Sequence, residues 1–186
     1  MFESPKRYLV LLYSIVVATA LLDQITKVIA RTSLARGESV DVLGSFLRWT
    51  LVYNQGGAFS TRLGPSLFYL LISVAIMVAV MIMLHRYAAS SRLVSMALAF
   101  VGGGAIGNLI DRIYLGSVVD WIDFEFFDIS IPPMKLIFWQ FPGYYLTRWP
   151  VFNIADSAIT VGLVLLIIHL LWRRKDSQDA DPQIAG

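Results

Sequence analysis

The stretch Leu67–Leu84 reads LFYLLISVAIMVAVMIML, eighteen residues without one charge. A run this long and this apolar suits hydrocarbon, which takes about 20 helical residues to cross. Three further runs resemble it, so spans are expected at about 8–30, 67–85, 93–110 and 151–172. With no water inside a bilayer, each must satisfy its own backbone polar groups, which selects helix. The expectation is a mainly α membrane protein: a four-helix transmembrane bundle, one domain over residues 1–174. The polar segment 175–186 reads as a disordered cytoplasmic tail.

Composition supports this. The chain is 57% hydrophobic and 15% charged, where a soluble domain carries about 25% charged residues. A net charge of +2 is too small to suggest nucleic acid. The absence of cysteine excludes disulfides, thiolate metal sites and a cysteine nucleophile in this chain. The two histidines, His85 and His169, are scattered and make no metal site.

Basic residues set the expected orientation. Lys6 and Arg7 precede the first span, Arg86 and Arg92 flank the turn between the second and third, and Arg173, Arg174 and Lys175 follow the fourth. Short basic segments stay cytoplasmic, which puts both termini inside and the two long connections outside. Those outer segments also hold Arg31, Arg36, Arg48, Arg62 and Arg148, so the bias is one of density. Lys6-Arg7 followed by an apolar run and Ala18-Thr19-Ala20 also matches a cleavable export signal. Apolar residues resume at Val28, Ile29 and Ala30, which favours a retained span.

The first outer segment has strand character at 39–43 and 46–53, with Gly44-Ser45 as the turn. A small sheet on the membrane surface is expected there. The second, 121–150, is aromatic and interrupted at Pro132-Pro133 and Pro142-Gly143. Its Trp and Tyr content suits the headgroup region.

Placed on this topology, the polar residues gather at one membrane face. Asp23 and Lys27 lie toward the outer end of the first span, and Asn54 just after the strand pattern. Asn108, Asp111 and Arg112 end the third span, with Asp120 just beyond. Asn153 and Asp156 open the fourth. Ionisable groups at membrane depth are costly and mark candidate functional sites. Asn153 reads as the N-cap of the last helix, with Asp156 in its first turn near the positive end of the dipole. Two carboxylates brought within a few ångström share one proton near neutral pH. Such a pair can activate water with one member and protonate a carbonyl with the other.

Simpler roles exist for each residue. Asp156 can be only a capping acid, Asp120 only a partner of Arg112, and Asp23 with Lys27 an ordinary ion pair four residues apart. Asn108 can simply bond a neighbouring helix, while Gly102, Gly103, Gly104 and Gly107 serve close helix packing. Ser157 has no histidine on that face to serve as its base. An ion or proton relay is a further alternative, but it needs polar groups through both halves of the bundle, and here they stop at one face.

Four segments together resemble the bacterial lipoprotein signal peptidase, or signal peptidase II, family. They are Asp23-Gln24-Ile25-Thr26-Lys27, Asn54-Gln55-Gly56-Gly57-Ala58-Phe59-Ser60, the run from Gly103 through Asp111-Arg112 to Val118-Val119-Asp120, and Phe152-Asn153-Ile154-Ala155-Asp156-Ser157. The resemblance implies an aspartyl endopeptidase of the bacterial inner membrane, with a periplasmic β-cradle and a short periplasmic helix. It implies cleavage of diacylglyceryl-modified prolipoproteins just before the lipidated cysteine, by a monomer that works in membrane lipid and needs no cofactor. By motif, Asp120 and Asp156 match the catalytic acids. Asn54, Asn108, Arg112 and Asn153 match residues that line the site, and Asp23, Lys27, Gly56, Gly104 and Ala155 match binding or supporting positions. The chain departs from the family pattern in the long interval between Asp120 and Asp156, where the extra segment Phe126 to Trp149 is open to three readings, a larger lid, a membrane-resting hairpin or a partner surface, and in Gly57, where alanine is expected in many relatives.

Overall fold

The computed structural model describes residues 5–56, 64–88, 91–125, 129–136 and 139–180. Four helices follow in order: α1 (Pro5–Ser33), α2 (Ser66–Tyr87), α3 (Arg92–Leu115) and α4 (Ile154–Ala180). All four are long and apolar enough to cross a membrane, and the chain is a multi-pass membrane protein. Even α2, at 22 residues, spans about 33 Å against a hydrocarbon layer of about 30 Å. Its Leu71, Ile76 and Ile82 are exposed, as lipid-facing residues should be.

The third helix is the centre of the bundle, packing against each of the other three. Successive helical residues point about 100° apart, and three successive glycines use that rotation. Gly102 meets Val80 and Met81 of α2. Gly103 meets Val16 and Thr19 of α1. Gly104 meets Ala155 and Ile159 of α4. A Cβ on Gly103 would stand 2.6 Å from that of Thr19, so only a bare backbone permits this approach. Away from the polar end, Leu12, Val16, Val80, Leu84, Leu98 and Val101 form the apolar core.

Both ends of α3 are capped. Ser91 Oγ accepts from the Val94 amide at 3.4 Å. Gly116, at φ +68°, ends the helix with its N–H on the Arg112 carbonyl. That left-handed residue turns the chain into a strand within two residues.

A three-stranded antiparallel sheet covers this end of the bundle, in the order β1 (Ser39–Leu43), β2 (Leu47–Asn54), β3 (Val118–Phe124). Its underside joins the bundle through Leu51 and Val119, which pack with Ala30 and Leu34 of α1. Beyond β3 the chain forms a two-tier hairpin. β4 (Ile129–Ile131) pairs with β7 (Tyr144–Leu146), and β5 (Met134–Leu136) with β6 (Trp139–Phe141).

The expected first two strands are present and β3 was not expected; of the three readings open for 126–149, the described residues form a hairpin. α3 runs five residues past Ile110, because Asp111 and Arg112 are satisfied inside the protein and do not end the helix. α4 begins at Ile154, directly after Asn153, as the expected cap requires. It continues to Ala180, so 175–180 are helical where a disordered tail was expected. A helix leaving the bilayer keeps its hydrogen bonds, and no Gly or Pro interrupts it there. Residues 181–186 and Gly57 lie outside the described residues. No short helix occurs among the described residues of the outer segments.

Candidate active site

Asp120 is the third residue of β3 and lies opposite Val52 in the register. Asn54, opposite Val118, is its diagonal neighbour on the same face of the sheet. Its Nδ2 donates to Asp120 Oδ2 at 3.1 Å. The other carboxylate oxygen accepts from Asn153 Nδ2 at 2.7 Å. Asp120 is only 2% exposed. Burial, and then the neighbouring Asp156 carboxylate, push its carboxyl up to about 7 from an ordinary 3.8; the Asn54 and Asn153 bonds offset part of this.

Asp156 lies in the first turn of α4 and forms a reciprocal cap with Asn153. The Asp156 amide donates to Asn153 Oδ1 at 2.9 Å, and the Asn153 amide to Asp156 Oδ2 at 3.3 Å. Asp156 Oδ1 accepts from Asn108 Nδ2 at 2.8 Å. Asn153 therefore holds one acid with its side chain and the other with its backbone. Its Nδ2 also reaches Asn108 Oδ1 at 3.1 Å and the Val119 carbonyl at 3.2 Å.

Beneath this pair lies a buried ionic cluster. Lys27, 1% exposed, donates to Asp23 Oδ2 at 2.8 Å, Asp111 Oδ2 at 3.0 Å and Asn108 Oδ1 at 2.9 Å. An ammonium has three protons, and here each has an acceptor. Both carboxylates are tied further. Asp23 Oδ1 accepts from the Ala155 amide at 2.9 Å, one of the first-turn N–H groups a helix cannot satisfy itself. Asp111 Oδ2 accepts from the Val119 amide at 2.9 Å. One cluster thus joins α1 to α3, to the start of α4, and to the strand that carries Asp120.

Arg112 does not pair with Asp120. Its Nη1 reaches the Asn108 carbonyl at 3.5 Å and its Nη2 the Gly56 carbonyl at 3.4 Å. It lies within electrostatic range of Asp156, Asp120 and Asp111. Gly56 also donates to Asn54 Oδ1 at 2.9 Å, which steadies the residue facing Asp120. At Gly104, any Cβ would collide with the Ala155 carbonyl, so this glycine sets how close α3 comes to the turn bearing Asp156. Ser157 Oγ donates to the Asn153 carbonyl at 2.9 Å, a helix-start role. No cluster of three or more metal-ligating side chains occurs among the described residues.

The residue missing from the sequence-derived site is Gln24. Its Nε2 lies 3.0 Å from both the Gly107 carbonyl and Asp111 Oδ1, and 3.3 Å from Asp23 Oδ2. The only hint in sequence is its place beside Asp23. Asp111, noted only for its position, belongs to the ionic cluster.

The signal peptidase (SPase) II family profile matches residues 15–172. The chain belongs to this family. It is an aspartic peptidase. The lipoprotein signal peptidase of Listeria monocytogenes serotype 4a is 37% identical over 158 residues, covering 85% of this chain and 91% of that one. That of Chlorobaculum tepidum is 36% identical over 159 residues, covering 85% and 92%. Among solved structures, a bacterial membrane enzyme obtained by the in meso method matches with a TM-score of 0.67 and 32% identity, covering 90% of this chain and 89% of that one.

Proposed function

We propose that this signal peptidase II cuts the signal peptide from diacylglyceryl-modified prolipoproteins just before the lipidated cysteine, using Asp120 and Asp156 as its catalytic pair. The observation that carries this reading is the double grip of Asn153 on the two acids. One side chain and its own backbone fix both carboxylates at the same place.

In the starting state the pair holds one proton, on Asp120. Asp156, at the N-terminus of α4, carries the negative charge, which the helix dipole favours. Asp156 takes a proton from a water whose oxygen attacks the scissile carbonyl carbon. Asp120 gives its proton to the carbonyl oxygen, leaving a neutral gem-diol. Asp156 then returns its proton to the leaving nitrogen as the C–N bond breaks, and Asp120 regains one from the diol. Arg112 and the asparagines offer donors to substrate backbone that would otherwise go unpaired at a dry site.

The same reading puts the enzyme in the bacterial inner membrane, both termini cytoplasmic and the acids near the periplasmic face. Substrate lipid chains then stay in the bilayer while the signal helix lies against the bundle. Lys6, Arg7, Arg86, Arg92, Arg173 and Arg174 support this orientation. Asp120→Asn and Asp156→Asn, made singly, test the pair with a lipidated precursor. Each should abolish cleavage while leaving the fold intact, and full activity in either removes the mechanism. A C-terminal fluorescent fusion that matures only in the cytoplasm tests the orientation.

A further inference from the structure

None of the chemistry above uses residues 126–149, which lie between β3 and the Asn153 cap of α4. Residues 126–149 hold eight aromatic and three charged residues among 24. The hairpin register places Ile131 opposite Tyr144, Met134 opposite Phe141, and Lys135 opposite Gln140. Alternate pairs fall on opposite faces, so Met134 and Phe141 share one face of the distal tier, and Lys135 and Gln140 the other. Met134 is 50% exposed, Ile131 40% and Tyr145 67%.

A two-stranded hairpin is marginally stable at best in water, and these strands have three residues each. Among the described residues, the two tiers pair internally and have no extensive packing with a helix or with the three-stranded sheet. Their base, however, is firmly held. Arg148 Nε donates to Asp123 at 2.8 Å, and its Nη1 to Glu125 at 2.6 Å and to the Ser45 carbonyl at 3.0 Å. The Trp149 amide donates to the Phe124 carbonyl at 2.9 Å, and Phe124 stacks on Phe152 with centroids 6.0 Å apart. Trp149 precedes the first residue of α4 by five positions. The hairpin therefore leaves the fold where the lipid-facing surface of that helix begins. This is the level at which Trp and Tyr concentrate.

We propose that the 129–146 hairpin rests on the lipid leaflet at the face bearing the two acids, the Met134 and Phe141 side toward the acyl boundary and the Lys135 and Gln140 side toward water. Lipid covers the half-exposed Met134 and continues the apolar surface that α4 presents. The depth is limited. Among the described residues, both tiers have open strand edges, whose N–H and C=O groups need water or headgroups, so the hairpin does not enter the hydrocarbon. Pro132, Pro133 and Pro142 interrupt the ladder between tiers and remove three of those N–H groups.

The natural chain lacks cysteine, so single labels are simple to place. Met134→Cys and Lys135→Cys, each carrying an environment-sensitive dye, are compared in the full-length protein in nanodiscs of phosphatidylcholine and phosphatidylglycerol. Nitroxide lipids labelled near the glycerol backbone should quench position 134 about threefold more than position 135, with the order reversed for aqueous iodide. Equal iodide access at both positions without nitroxide quenching would mean a hairpin standing in water, as a lid or a protein-binding surface, and would overturn the proposal. Equal nitroxide quenching at both would mean full insertion and would also overturn it.

Discussion

Lys27 donates to Asn108 Oδ1 at 2.9 Å, and this contact decides which way the Asn108 amide faces. An ammonium can only donate, so the atom before it must be oxygen. The amide nitrogen is then turned toward Asp156, where it donates at 2.8 Å. Lys27 touches neither acid of the pair, yet it sets the donor that one of them receives. Replacing Lys27 with Met leaves Asp23 and Asp111 buried without their cation and frees Asn108 to flip. Removing one partner of a buried ion pair costs about 3–5 kcal/mol. Lys27→Met should lower the unfolding temperature in detergent and reduce cleavage by the protein that remains folded. A variant with unchanged stability and turnover would show that the cluster has neither role.

The position of the Asp120 carboxyl, near 7, makes two pH predictions. Its pKa is raised on folding, so between about 4 and 7 the native state holds a proton that the unfolded chain has released. Stability from this group therefore falls as pH rises through that window and levels off above it. The gap from 3.8 corresponds to roughly 4 kcal/mol at 1.36 per pH unit. Thermal unfolding measured between pH 4 and 8 checks the sign. Cleavage should also decline on the alkaline side as the pair loses its shared proton, the titration belonging to both acids together. Asn54→Ala removes a bond that lowers the Asp120 pKa, so it should move that decline to higher pH. A shift to lower pH would contradict the assignment.

Two glycines separate packing from chemistry. A Cβ on Gly162 would come within 2.6 Å of the Ala97 carbonyl and of Val101 Cγ2, two helical turns from Ala155. A Cβ on Gly104 would collide with the Ala155 carbonyl itself, beside Asp156. Overpacking of this kind costs about 1–3 kcal/mol. Gly162→Ala should lower stability yet keep the kcat of the folded fraction, whereas Gly104→Ala should lower both. Equal kcat for the two variants would show that the α3–α4 spacing at Gly104 does not position the acid.

The spans were legible because each apolar run must satisfy its own backbone in lipid. The meeting of Asp120 and Asp156 followed from topology: the end of one span and the start of the next share a membrane face. The Asn153 cap was legible too, being a local feature. Its side-chain reach to Asp120 was not, since that depends on where β3 settles. Nor was β3 itself, because VVDWIDF alternates irregularly and turns Asp120 and Asp123 inward. Lys27 was readable as a partner for Asp23 along one helix, but its bonds to Asp111 and Asn108 cross to another. A hairpin was only one of three readings of 126–149, because its strands are short and its prolines look like loop punctuation.

Arg148 offers a last test, of how the hairpin is tied to the sheet. Its side chain is 23% exposed and bridges Asp123 and Glu125 while also reaching the Ser45 carbonyl. Arg148→Ala leaves Asp123, 5% exposed, with the Thr50 hydroxyl at 2.7 Å as its remaining side-chain donor. Leaving such a group underpaired costs about 1–3 kcal/mol. The β2–β3 pairing that holds Asn54 beside Asp120 does not use Arg148. Amide exchange should therefore quicken across 129–146 and around Ser45, while the Val118–Asp120 amides keep their protection. Arg148→Lys should restore only part of the loss, because one ammonium cannot span both acids and the carbonyl as a planar guanidinium does. Unchanged exchange in the hairpin after Arg148→Ala would mean that the Trp149 and Phe152 backbone contacts alone fix its base.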